Sequence, residues 1–62
     1  MQFKSVPVGA AFMKGQRMFI KNCDFPKLEF GKATEILCDN PRRYSFHNTA
    51  EVTRIVVKEL LN

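Results

Sequence analysis

The chain has 62 residues, with ten lysines and arginines against six aspartates and glutamates, a formal charge of +4 and an isoelectric point near 9.4. A chain this short forms one domain and buries only about 60% of its unfolded surface, which leaves little energy for holding a desolvated catalytic centre. Its 45% hydrophobic and 26% charged residues exclude a disordered polyelectrolyte, and the surplus positive charge favours anionic partners, nucleic acid first and an acidic protein face second.

No apolar run reaches membrane-spanning length, so no membrane partner is expected. The amino-terminal residues carry no apolar signal core. Two cysteines, Cys23 and Cys38, are too few for the disulfide framework of a small secreted domain. These features predict a cytoplasmic protein with reduced thiols.

In chain order, residues 3–8 read as a short extended lead-in, with Pro7 holding its neighbour in the extended region. Gly9 marks a bend. A strand begins at residues 11–13, Lys14-Gly15-Gln16 forms a hairpin turn, and residues 17–22 return as a second strand. Alternation places Met18 and Ile20 on one face and Arg17, Phe19 and Lys21 on the other. Residues 23–32, punctuated by Pro26 and Gly31, read as the longest irregular segment, in which Leu28 and Phe30 alternate with charged residues as in a short edge strand or a segment lying across the core. The next strand is expected over residues 33–39, with Ile36 and Cys38 on one face and Leu37 on the other. Asp39-Asn40-Pro41-Arg42 is a turn by composition. Residues 43–47 form an aromatic strand with Tyr44 and Phe46 on one face.

The carboxy-terminal stretch carries two signals. Asn48 followed by Glu51 fits a helix capping box, and Val52, Ile55, Val56 and Leu60 fit a helical apolar stripe. The β-branched run Val52, Thr53, Ile55, Val56 and Val57 favours a strand over residues 52–58, which is the reading preferred here. Five short strands in one small chain predict an all-β fold, a five-stranded barrel whose closure removes exposed edges.

The opening residues Phe3, Val6-Pro7-Val8-Gly9-Ala10, Phe12, Gly15, Phe19 and Lys21 resemble the start of small uncharacterised proteins of bacteriophages and prophages. Their pattern runs F-x-x-L/V-P-V-G-x-x-F, then a glycine turn, an aromatic residue and a lysine two places on. The resemblance implies a Src-homology-3-like (SH3-like) small barrel from a mobile element, and it brings no catalytic residue. It is specific over the first 21 residues, and residues 23–32 depart from it. The shared residues read as scaffold, with Pro7 and Gly9 shaping the turn and Phe3 and Phe12 anchoring the core.

Two groups of residues are candidates for function. Lys14, Arg17, Arg42 and Arg43 are placed to contact phosphates, with Tyr44 as a base-stacking ring in the Arg-Arg-Tyr strand. Phe25, Leu28 and Phe30 concentrate apolar surface in the 23–32 segment, which suits either a cap on the core or contact with a protein partner. Cys23, Cys38 and His47 fall short of the four ligands that a structural zinc site needs, so no metal or cofactor is expected. With no phosphate-binding glycine loop, paired-carboxylate cleft or oriented nucleophile, the expected function is a non-enzymatic binding module. It contacts nucleic acid or, in the alternative, acts as a phage-type accessory or inhibitor protein on a partner protein. Oligomeric state is not legible in the sequence.

Overall fold

The computed structural model describes residues 1–55. A 3₁₀ turn at Phe3–Ser5 precedes strands β1 (Ala11–Lys14) and β2 (Arg17–Phe25). A second 3₁₀ turn at Pro26–Leu28 leads into β3 (Phe30–Ile36), followed by β4 (Arg43–His47) and β5 (Thr53–Arg54). The strands make one antiparallel sheet in the order β4-β3-β2-β1-β5. The expected barrel is corrected by this order: β4 and β5 are the two ends of the sheet and do not pair with each other.

Two hairpins build the sheet. Lys14 pairs with Arg17 across a two-residue loop, Gly15-Gln16. Gly15 sits at φ +64°, the left-handed region that a glycine-first hairpin turn requires. The second hairpin replaces the irregular segment expected over residues 23–32. Strand β2 continues to Phe25, which pairs with Phe30 across Pro26 to Glu29. Pro26 presets the first position of the 3₁₀ turn, and Glu29 closes it at φ 60°, ψ 31°. The register shifts between Lys21 and Cys23, so Asn22 is the extra residue of a β-bulge. Its Oδ1 accepts a hydrogen bond from Thr34 Oγ1 at 2.8 Å.

The strand expected over residues 33–39 begins earlier and ends at Ile36. Leu37 takes a positive φ of 59° that breaks the extended run. Leu37 and Cys38 are consequently exposed, and Cys38 is not the half-buried apolar filler its strand position suggested. The lead-in at residues 3–8 opens as a 3₁₀ turn rather than an extended segment. In the carboxy-terminal region, β5 occupies Thr53–Arg54 of the expected 52–58 strand. The remainder of that expectation, from residue 56 on, lies outside the described residues.

One face of the sheet is covered by the chain's own amino-terminal segment. The Phe3 N–H donates to the Ala50 carbonyl at 2.8 Å, Lys4 N–H to Asn48 at 3.0 Å, and Val52 N–H to Met1 at 2.8 Å. This crossing seats Phe3, Val6 and Val52 over Phe12, Phe19 and Ala33, with Tyr44 and Phe46 at the margin. Phe12, Phe19 and Phe46 each meet three aromatic rings, Phe46 with centroids 5.0 to 5.4 Å from Phe3, Phe12 and Phe19. Each such pair contributes about 0.5–1.5 kcal/mol beyond area burial. Among the described residues, no helix is long and apolar enough to cross a membrane.

Candidate nucleic-acid interface

Strand alternation and register sort the charged side chains by face. Arg17, Phe19, Lys21, Gly31, Ala33, Glu35, Tyr44 and Phe46 point to the packed side, as the buried Phe19, Lys21, Gly31 and Ala33 show. Met18, Ile20, Cys23, Phe25, Phe30, Lys32, Thr34, Ile36, Arg43, Ser45 and His47 therefore point to the opposite, open side.

On the packed side Lys21 and Arg17 are matched to carboxylates. Lys21 is fully buried. Its Nζ donates to the Phe3 carbonyl at 3.0 Å and to the Val6 carbonyl at 2.8 Å, and meets Asp24 Oδ1 at 2.8 Å. It also lies 4.4 Å from the Phe3 ring centroid. Three acceptors for three ammonium protons satisfy the group completely, which is the condition for tolerating a buried charge. Lys21 thus contributes to the chain's net charge but not to its surface.

Arg17 forms a two-pronged pair with Glu35, Nε to Oε2 at 3.0 Å and Nη2 to Oε1 at 2.8 Å. Its guanidinium carbon lies 4.9 Å from the Tyr44 ring centroid and 5.3 Å from that of Phe19. Hydrogen bonding to Glu35 holds the Arg17 pKa further above its ordinary value. The same bond lowers the Glu35 carboxyl, against the opposing effect of desolvation.

The five residues expected to contact nucleic acid fall into two groups. Lys14, Arg17 and Tyr44 lie toward the packed side: Lys14 Nζ donates to the Glu51 carbonyl at 2.9 Å, Arg17 is held by Glu35, and Tyr44 lies beneath Arg17 with Phe19 edge-on at 5.8 Å. Arg43 points to the open side at the start of the outermost strand, and the exposed Arg42 precedes it, its carbonyl accepting the Glu35 N–H at 2.9 Å. Among the described residues, Arg42 and Arg43 form no ion pair.

Of the apolar set, Phe25 and Phe30 close the second hairpin with ring centroids 5.1 Å apart. Leu28 projects from the hairpin tip, 65% exposed, and with Phe25, Pro26 and Lys27 it lines a shallow apolar concavity.

Sequence reasoning missed Lys32 and His47 as members of one surface. Lys32 stands opposite Ser45, His47 stands opposite Phe30, and Lys32 Nζ is 6.0 Å from the Phe30 ring centroid. The signal was the alternation of β3, hidden because residues 23–32 read as irregular rather than as a hairpin. Among the described residues, every charged side chain that the register places on this open face is basic. Comparison with known protein families, with characterised proteins and with solved structures finds no match to this chain.

Proposed function

We propose that the chain is a non-enzymatic binding module that contacts nucleic acid through its phosphates. The observation that carries this reading is the one-sided charge of the open face, where Lys32 and Arg43 meet no carboxylate among the described residues. Arg42 adds an exposed cation just before β4, where its carbonyl accepts the Glu35 N–H at 2.9 Å. A guanidinium with no carboxylate partner keeps its full set of donors for phosphate oxygens. Lys14 adds a cation at the first hairpin, while Arg17 and Tyr44 support it from the packed side. Such a module fits a cytoplasmic setting. The resemblance of residues 3–21 to small phage and prophage proteins supports a mobile-element origin and an SH3-like strand arrangement as part of this reading.

The test is retention on mixed DNA and RNA at low salt, repeated at higher salt. Each neutralised phosphate releases counterions, so retention should fall steeply as salt rises. Arg42→Gln together with Arg43→Gln should reduce both the affinity and the salt slope. Negligible retention at low salt rejects the reading.

A second reading is favoured by the exposed Phe25 and Leu28 around the apolar concavity: a phage-type accessory or inhibitor protein that docks on a partner protein through residues 23–32. Phe25→Ala with Leu28→Ala would then abolish partner capture while leaving the fold intact.

A further inference from the structure

We propose that the open face of the sheet is a platform for single-stranded nucleic acid, with Phe25 and Phe30 stacking on bases and Lys32, Arg43 and His47 contacting phosphates. This deepens the nucleic-acid reading above and rests on it.

Three observations select a single strand. First, the two rings sit side by side at one end of the face, tilted 42° to each other with centroids 5.1 Å apart. Phe25 is 39% exposed, although a residue of its type is usually buried. Stacking of bases on such rings requires bases released from a duplex, and it tolerates any sequence because every base has a π-face.

Second, the basic groups border the rings in a fixed lattice. His47 pairs with Phe30, Ser45 with Lys32, and Arg43 with Thr34. Alternate residues of β4 recur roughly every 7 Å along the strand, so Arg43 and His47 mark out a track beside the rings. The His47 side chain is oriented within that track. His47 Nδ1 lies 2.8 Å from Thr49 Oγ1 and 3.2 Å from the Thr49 main-chain nitrogen, which holds the ring at the edge of the sheet.

Third, the face carries no carboxylate at any register position among the described residues, while Glu35 and Asp24 belong to the packed side. A sheet face with basic and aromatic side chains and no acid among the described residues complements a polyanion whose bases are accessible. Duplex DNA would offer only its phosphates to this surface and leave the rings without a partner.

The probes are a single strand of thymidines and one of uridines, each about 12 nucleotides long, within the roughly 4–16-nucleotide footprint of small β domains on single strands. A duplex of equal length and polyglutamate complete the set. At one fixed salt, the single strands should bind at least about tenfold more tightly than the duplex. Phe25→Ala and Phe30→Leu should each weaken single-strand binding about tenfold, consistent with the loss of one stacked base. Leucine keeps the apolar cover of the half-buried Phe30. Lys32→Gln with Arg43→Gln should lower the salt slope by about 1.4, two phosphates at roughly 0.7 each, and leave the melting temperature nearly unchanged, since Arg43 is exposed and the half-buried Lys32 forms no ion pair among the described residues. Phe25→Trp, which retains a ring, should bind normally and show fluorescence quenching on addition of the single strands.

Equal affinity for duplex and single strand, or no effect of the ring variants on binding and no tryptophan quenching, overturns the platform. If the arginine variants still weaken binding in that case, the general nucleic-acid reading stands. Failure to bind any oligonucleotide at low salt overturns both. Binding of polyglutamate as tight as that of the single strands replaces the platform with an acidic protein partner.

Discussion

On the packed face, Lys21 and Arg17 are matched to Asp24 and Glu35, whereas on the open face Lys32 and Arg43 meet no carboxylate among the described residues. The two sides of one sheet thus use the same residue types for different ends. A lysine inside the molecule must saturate its donors, because an unpaired buried charge costs several kcal/mol. Outside, water satisfies the group, and its unused donors are available to a partner. The difference teaches that a net charge counted along a chain does not locate a binding surface. Lys21 and Arg17 are consumed in holding the fold.

The largest expected effect lies at the centre of the packed face. Lys21→Met removes the donor to the Phe3 and Val6 carbonyls and the cation beside Asp24; the Phe3 carbonyl keeps the Val6 N–H at 3.0 Å, whereas the Val6 carbonyl loses its donor. The orphaned Val6 carbonyl costs about 1–3 kcal/mol and the lost ammonium contacts to Phe3 and Asp24 add to it, so a loss of about 3 kcal/mol is expected in chemical denaturation. That is a large part of the ~3–9 kcal/mol typical of a domain this size. A loss within about 0.5 kcal/mol, the range of ordinary surface substitutions, would erase the distinction between the faces.

A smaller effect is expected at Gly31. A Cβ there would stand 2.5 Å from the Cys23 carbonyl oxygen and 2.7 Å from Phe3 Cε2. The first neighbour is backbone and the second is a buried ring, so neither yields without moving the hairpin or the core. Gly31→Ala should cost about 1–3 kcal/mol, the range for overpacking, seen as a lower melting temperature. A neutral result would mean that the second hairpin shifts freely against Phe3.

The smallest effect is the acid response of Arg17 and Glu35. The Glu35 carboxyl is lowered in the folded chain from its ordinary value of 4.5 by the Arg17 hydrogen bond. Its contribution to stability is therefore complete above that ordinary value and disappears as pH falls through the lowered one. Melting temperature followed from neutral pH into acid should show this loss. Arg17→Gln should flatten that part of the profile, and an unchanged profile would show that the pair adds nothing.

Much of the strand plan was legible in the residues. The glycine turn at Gly15, the alternation around Phe19, and the Tyr44 and Phe46 face of β4 each follow from local chemistry that acts over a few residues. Phe3 and Phe12 lie in the core as their apolar setting suggested. The second hairpin was not legible, because the bulge at Asn22 breaks the period of two and the turn at Pro26–Leu28 is a 3₁₀ turn rather than a glycine-centred one. The end of β3 at Ile36 was hidden for a related reason: Leu37 adopts a positive φ that its side chain does not favour. As for the candidate site, the sequence pointed to Arg42, Arg43, Phe25 and Phe30 separately. It contained no sign that β3 sets Lys32 and His47 beside them.

The amino-acid sequence by itself determined an all-β chain with a basic surplus, a glycine-turned first hairpin and an aromatic core, since turn dihedrals and strand alternation are properties of neighbouring residues. Tertiary structure alone decided that the sheet stays open at β4 and β5, that Lys21 is interior, and that the rings and cations of the open face share one surface. Those outcomes depend on groups distant along the chain, such as the carbonyls of Phe3 and Val6 that reach Lys21 and the strand register that sets His47 against Phe30. Pairings over such distances become readable only after the chain has closed on itself.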